Sequence, residues 1–147
     1  MKKNLCIISN SILLVWFFLD MFGFNIGDFL LVEAAWNSID GIWFLIFAGL
    51  FILFCVKDKL GKYPLSAFVL ILISLQYLSH WHYTIFGATE EQIIRYNDFY
   101  ANTFFVIPIS ENRIIPDFYH IMLHSFILFA FICMMLYCIK SRKIKSE

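Results

Sequence analysis

The sequence has little charge and few residues that break helices. Charged residues make up 15% of its 147 residues, and it contains only 6 glycines and 3 prolines. The sequence also contains no internal repeat, no low-complexity tract and no linker long enough to separate domains. An ordinary soluble domain carries about a quarter charged residues, so a soluble fold of this chain would expose large apolar patches.

The sequence also lacks a basic stripe and a paired cysteine motif. The formal net charge is zero and lysine and arginine are not concentrated on one helix face, so nucleic acid is excluded as a partner. No CxxC motif is present, which excludes the thiol–disulfide exchange chemistry that such motifs carry out. The cysteines are therefore expected to be reduced, small apolar residues in helices: Cys6, Cys55, Cys133 and Cys138.

Apolar residues dominate what is present. They account for 61% of the chain, and 18 residues are phenylalanine. A helix that crosses the hydrocarbon layer needs about 20 mostly apolar residues, and four windows meet this requirement, at about 5–22, 41–56, 65–86 and 116–139. The sequence therefore predicts an all-α integral membrane protein, a four-transmembrane-helix antiparallel bundle that forms a single domain over residues 1–147.

Lysine and arginine lie mainly on one side of the predicted spans. Nine of the eleven precede the first window, separate the second from the third, or follow the fourth. The positive-inside rule predicts a multi-pass plasma membrane protein with both termini in the cytoplasm. Frequent Lys, Ile, Phe and Asn indicate a prokaryotic membrane. The first window also resembles a signal peptide, with Lys2 and Lys3 before an apolar core, but Asp20 and the distance to Ala34 and Ala35 disfavour cleavage.

Two outer segments, 23–40 and 87–115, connect the spans. The first is too apolar for a solvated loop and is broken by Gly23 and Gly27, so it is expected to lie along the membrane interface or turn back toward the bundle. The alternative is that the first helix tilts and continues into it.

The second outer segment contains a helix start signal. Thr89 with Gln92 has the form of a capping box, and apolar residues recur after it at helical spacing. This pattern predicts a short amphipathic helix at about 89–104, over the outer mouth of the bundle or on the lipid headgroups. Pro116 and Asp117 are then expected to open the fourth helix.

All four histidines fall at the same predicted depth. His80 and His82 lie near the outer end of the third span, and His120 and His124 near the outer start of the fourth. At about 100° per residue His80 and His82 point in nearly opposite directions, whereas His120 and His124 form an i, i+4 pair on one face. Polar groups at membrane depth usually face the bundle interior.

Convergence of these side chains predicts a polar pocket at the outer leaflet. Imidazole and carboxylate ligands suit a divalent metal, Zn²⁺ best by ligand type, with Fe²⁺, Mn²⁺ or Cu²⁺ as other candidates. The predicted metal ligands are His80, His120, His124 and Asp20. The residues predicted to surround them are Asp117, Asp40, Gln76, Tyr77 and Thr84.

Other interpretations of the histidines remain open. They could be interfacial groups that hydrogen-bond to neighbours or headgroups, or they could transfer protons without a metal. The predicted function is correspondingly either a metal site that binds or acts on a lipid or lipid-linked ligand, or a non-catalytic accessory protein. Membrane lipids are the expected partners, and the aromatic helix faces offer surface for a protein partner or a homo-oligomer. A channel is disfavoured because the predicted interior has almost no polar path.

Overall fold

Helices form most of the protein in a computed structural model, which describes residues 2–143. Four of its helical segments are long and apolar enough to cross a membrane, so the chain has the character of a membrane-spanning protein. Lys145, one of the basic residues behind the predicted orientation, lies outside the described residues. The helices are α1 Lys3–Phe22, α2 Ile39–Val56, α3 Asp58–Gln76, α4 His82–Phe86, α5 Glu90–Phe99 and α6 Phe118–Lys143.

The third hydrophobic segment begins earlier than predicted and contains an irregular turn. Only Lys57 separates α2 from α3, because its carbonyl accepts the first amide bonds of α3 while its own N–H bonds Leu53 in α2. Pro64 therefore lies inside α3, in its second turn. A five-residue π-helical turn, Tyr77–Trp81, then joins α3 to α4 without a break.

The helices pack through a largely aromatic interior. α1 contacts α2 and α6, and α3 contacts the same two helices. Phe47 and Phe54 of α2 are completely buried, and the Phe47 ring stacks on Phe68 of α3 with centroids 6.3 Å apart. Many large apolar side chains, such as Val56 and Ile52, stay exposed on the outer helix faces, as expected of surfaces that meet lipid.

The two ends of the helices differ in chemistry. The histidine end comprises the end of α1, the start of α2, α4 and the start of α6. The lysine end comprises the start of α1, the α2–α3 turn and the end of α6. At the lysine end, Lys62 is buried, donates to the Ser141 hydroxyl at 2.8 Å and lies over the Tyr137 ring.

The segment between α1 and α2 is a β-hairpin, which the all-α prediction missed. Strands β1 Phe24–Ile26 and β2 Phe29–Val32 pair antiparallel around a Gly27-Asp28 turn. Gly27 has φ +59°, and this two-residue turn with glycine first matches the twist of a hairpin. Continuation of α1 as a helix is therefore wrong, and the end of β2 is buried against the helices at Leu31 and Val32.

The amphipathic helix is present but shorter than predicted. α5 begins with the expected capping box, in which Thr89 and Gln92 exchange hydrogen bonds. It ends at Phe99 because the chain then turns, and Thr103 pairs with Leu30 of β2 in an isolated parallel bridge. Backbone pairing with the hairpin has replaced the last predicted turns of helix.

We predict that Gly61→Ala destabilises the protein by about 2 kcal/mol or more, because a Cβ at this position would overlap the Phe54 and Leu53 backbone across the α2–α3 turn. Gly49→Ala is the matched control, since a Cβ there meets nothing within 4 Å and alanine favours helix. Thermal melting of detergent-purified variants measures the difference. Equal melting temperatures would contradict this close approach.

Candidate functional site

The histidine end brings three of the four histidines together. His80 lies in the π turn, and His120 and His124 lie on the first two turns of α6. The His80 ring centroid is 4.7 Å from that of His120 and 5.1 Å from that of His124, and the latter two are 6.0 Å apart. His80 and His124 are both 7% exposed. The residues thus form one compact imidazole cluster between the third and fourth hydrophobic segments.

His124 is hydrogen-bonded at both ring nitrogens. The Trp81 indole Nε1–H donates to His124 Nδ1 at 2.7 Å, and His124 Nε2 lies 2.8 Å from Gln76 Oε1. Because indole is a donor only, Nδ1 must accept and Nε2 must carry the proton that bonds Gln76. His124 therefore has no free lone pair and acts as a link between α6 and the π turn.

His120 is oriented by the carboxylate that begins its own helix. Asp117 lies directly before α6, and its Oδ1 accepts the backbone N–H of His120 at 2.9 Å, which is an N-cap bond. The same oxygen lies 2.7 Å from His120 Nδ1. An ionised carboxylate can only accept, so Nδ1 carries a proton and Nε2 presents a lone pair. No other carboxylate among residues 2–143 lies within ion-pair distance of a histidine, lysine or arginine side chain.

Helix α5 covers the cluster with two tyrosines. Tyr96 Oη lies 3.0 Å from His80 Nδ1, and the Tyr100 ring lies edge-on to His120 with centroids 5.1 Å apart. Burial, followed by the nearby Tyr100 and Asp117, raises the pKa of Tyr96 above its ordinary value, so its hydroxyl stays neutral. α5 therefore contacts the histidine cluster directly, through Tyr96 and Tyr100.

A cavity of about 340 Å³ opens beside the cluster. This volume lies at the lower limit for small-molecule sites. Its polar lining combines carboxyl, imidazole, amide and hydroxyl groups, and its apolar lining comes from α1, β2, α5 and α6. The polar lining residues are Asp20, Glu33, Ser38, Asp40, Gln76, Ser79, His80, Tyr100, Thr103, Asp117 and His120.

Six of the nine predicted site residues line the cavity, and Tyr77, Thr84 and His124 do not. Tyr77 is 41% exposed and faces His82, with ring centroids 6.3 Å apart. His82 itself lies outside the cluster and contacts Phe86. Thr84 donates to the Ile114 carbonyl at 2.7 Å and so anchors the chain that precedes α6.

The predicted metal ligands are neighbours without forming a ligand set. Over residues 2–143, no group of three or more His, Cys, Asp or Glu side chains is placed to hold a metal ion. The hydrogen bonds explain this, since both nitrogens of His124 and Nδ1 of His120 are already bonded. Only the Nε2 atoms of His80 and His120 remain for coordination.

Several residues of the site were not predicted from the sequence. Glu33, Ser38, Ser79 and Thr103 line the cavity, and Trp81, Tyr96 and Tyr100 contact the histidine cluster. Normal helical spacing points Trp81 away from Gln76, but the extra residue of the π turn rotates Trp81 toward His124. Tyr96 and Tyr100 were placed on the apolar face of the amphipathic helix. Their i, i+4 spacing beside a histidine-rich bundle end is the signal that could have assigned them to the site.

No protein-family model, no curated protein and no solved structure matches this chain. Its function is therefore argued from the cavity and the residues that line it.

We predict that Trp81→Phe lowers stability by about 1–3 kcal/mol, because it leaves the Nδ1 acceptor of His124 buried without a donor. Trp36→Phe is the matched control, since Trp36 is exposed and stacks only on Phe22. Thermal melting and the side-chain ¹⁵N shifts of His124 measure the effect. An unchanged Nδ1 shift in Trp81→Phe would contradict the proposed link.

Proposed function

We propose that the chain is a single-domain plasma membrane protein, a four-span antiparallel bundle with both termini in the cytoplasm. Hydrogen bonds between α1 and α6 support the antiparallel order. Trp16, late in α1, donates to the carbonyl of Tyr119, early in α6, and Cys6, early in α1, donates to the carbonyl of Cys133, late in α6. The basic residues of the lysine end favour the cytoplasmic side. The histidine end and its cavity then lie at the outer leaflet.

The cavity is proposed to bind a polar ligand and to transfer a proton to or from it. The observation that carries this proposal is the Asp117–His120 pair, in which a buried carboxylate holds Nδ1–H and leaves Nε2 as a free base at the cavity lining. Such an orienting carboxylate also stabilises the imidazolium that forms when the histidine accepts a proton. His120 is the proposed acid/base residue and Asp117 its positioning residue.

The ligand is proposed to be a lipid headgroup or a lipid-linked molecule. A hydroxyl, amine or water held beside His120 would give its proton to Nε2 and receive it back at the end of the reaction. The rings of Tyr100 and His80 both contact the His120 ring, with centroids 5.1 Å and 4.7 Å away. Their polar atoms can therefore hydrogen-bond to the same ligand. The apolar lining contributed by Phe17, Val32 and Leu123 suits the non-polar part of a membrane molecule.

A divalent metal site is the second candidate function. The His80 and His120 rings are 4.7 Å apart, and each retains an Nε2 without a partner among the described residues. Two imidazoles suit Zn²⁺ by ligand type, and coordination would require Asp20, which lines the same cavity, to move within reach of the ion. A bound metal would supply an activated water for hydrolysis or group transfer. Without a metal or a reaction, the protein would be an accessory membrane protein.

Mass spectrometry of membrane lipids and lipid-linked species tests the proton-transfer proposal. Cells that express the wild-type chain are expected to show at least one species whose level changes. His120→Gln should abolish this change, and Asp117→Asn should reduce it, because positioned acid/base catalysis contributes about 10²–10⁴-fold. His82→Gln is the matched control, since His82 lies outside the cluster. Equal changes with wild type and His120→Gln would refute the role of His120, and no change with wild type would favour the accessory function.

Metal analysis of the detergent-purified protein tests the second candidate. The metal-site proposal predicts about one bound ion per chain, lost in His120→Ala and largely kept in His124→Ala, because His124 has both nitrogens bonded. A metal content in wild type that equals the buffer background would exclude the metal site under these conditions.

A further inference from the structure

The cavity lining carries acidic side chains and no lysine or arginine. Four carboxylates line it: Asp20, Glu33, Asp40 and Asp117. Within residues 2–143, no lysine or arginine lies within ion-pair distance of these four carboxylates, and Asp117 accepts a hydrogen bond from the His120 ring. Carboxylates that share one cavity repel each other, and this repulsion is relieved when a positive group enters.

The four carboxylates also affect the ionisation of Tyr100, which lines the same cavity. Burial raises the pKa of Tyr100 above its ordinary value, and the charges of Asp117, Asp20, Asp40 and Glu33 raise it further. These are the same four carboxylates that line the cavity. The site thus opposes any additional negative charge and keeps the phenol as a neutral hydroxyl.

Unpartnered acceptors add an independent sign of a ligand. Two buried side-chain oxygens lack a hydrogen-bond partner among residues 2–143, and one of them is Asp117 Oδ2 beside the cavity. His80 is 93% buried and bonds Tyr96 through Nδ1, while its Nε2 has no bond within this part of the chain. When Nδ1 donates to Tyr96, Nε2 of His80 is an acceptor, as is Nε2 of His120.

These features discriminate between ligand classes. A phosphate would meet four carboxylates and no lysine or arginine, so an anionic group is disfavoured. A metal ion would need three or more well-placed ligands, and the described residues do not provide such a group. A primary ammonium group carries one positive charge and three N–H donors, which matches a lining rich in acceptors.

We propose that the cavity binds a primary ammonium group, held by Asp20 and Asp40 and by the free Nε2 of His120. This inference rests on the proposed function, because it names the ligand class of that same cavity. The ammonium belongs either to the aminoethyl headgroup of a membrane lipid or to a soluble amine. Phe99 and Tyr100 offer aromatic faces beside it.

Binding of small amines to the detergent-purified full chain tests the proposal. Ethanolamine is expected to raise the melting temperature of the wild type in a saturable manner. N-acetylethanolamine, which lacks the charge, and choline, which lacks N–H donors, are expected to bind at least about tenfold more weakly. No shift with ethanolamine, or an equal shift with either analogue, would overturn the assignment. This comparison uses only wild-type protein and does not depend on the folding of a variant.

Two variants with the same change of charge test whether Asp20 binds the ammonium group. Asp20→Asn is expected to weaken ethanolamine binding about tenfold, since it removes one charge-assisted hydrogen bond. Asp28→Asn makes the same charge change in the exposed hairpin turn, away from the cavity, and should leave the affinity unchanged. Equal affinity in the two variants would overturn the proposed contact with Asp20.

Reconstitution separates the two sources of the amine. Nanodiscs that contain phosphatidylethanolamine or phosphatidylcholine in the same phosphatidylglycerol background are compared by native mass spectrometry. Selective retention of phosphatidylethanolamine, displaced by free ethanolamine, would support the headgroup, whereas ethanolamine binding without lipid selectivity would support a soluble amine. Both measurements are at equilibrium, so their failure leaves the test of His120 chemistry unaffected, and loss of that chemistry leaves amine binding measurable.

Discussion

The hydrogen bond from the Trp81 indole to His124 is the contact on which the histidine end depends. It joins the π turn to α6, and through Nε2 of the same ring it also holds Gln76 of α3. Buried polar groups in a hydrocarbon environment must find partners within the protein. Because His124 supplies both bonds, the two helical segments are fixed in a register that brings His80 against His120.

This arrangement divides the histidines by role. His124 is fully hydrogen-bonded and structural, His80 is hydrogen-bonded to Tyr96 of α5, and His120 is hydrogen-bonded to Asp117 at the start of its own helix. The three histidines thus differ in whether a ring nitrogen is free to contact a ligand. Only rings with a free nitrogen beside the cavity can contact a ligand, and the surrounding carboxylates then determine which charge that ligand carries.

The sequence was sufficient for features governed by composition and local signals. Long apolar windows identified the four helices that are long and apolar enough to cross a membrane, and the Thr89 capping box identified α5. Helical spacing and the cost of buried polar groups indicated the three histidines whose rings converge. The π turn and the hairpin were not predictable in this way. An inserted residue in a helix depends on contacts with α6, and two short strands in an apolar segment show no periodicity that separates them from a buried helix.

The isolated bridge between Leu30 and Thr103 couples the two non-helical segments at the histidine end. β2 has a free edge after pairing with β1, and the strand-like residue after α5 occupies it. Any outward movement of α5 that carries Thr103 with it would have to break the bridge between Thr103 and Leu30. The β-hairpin thus restrains, through one backbone pair, the segment that follows the helix covering the histidine cluster.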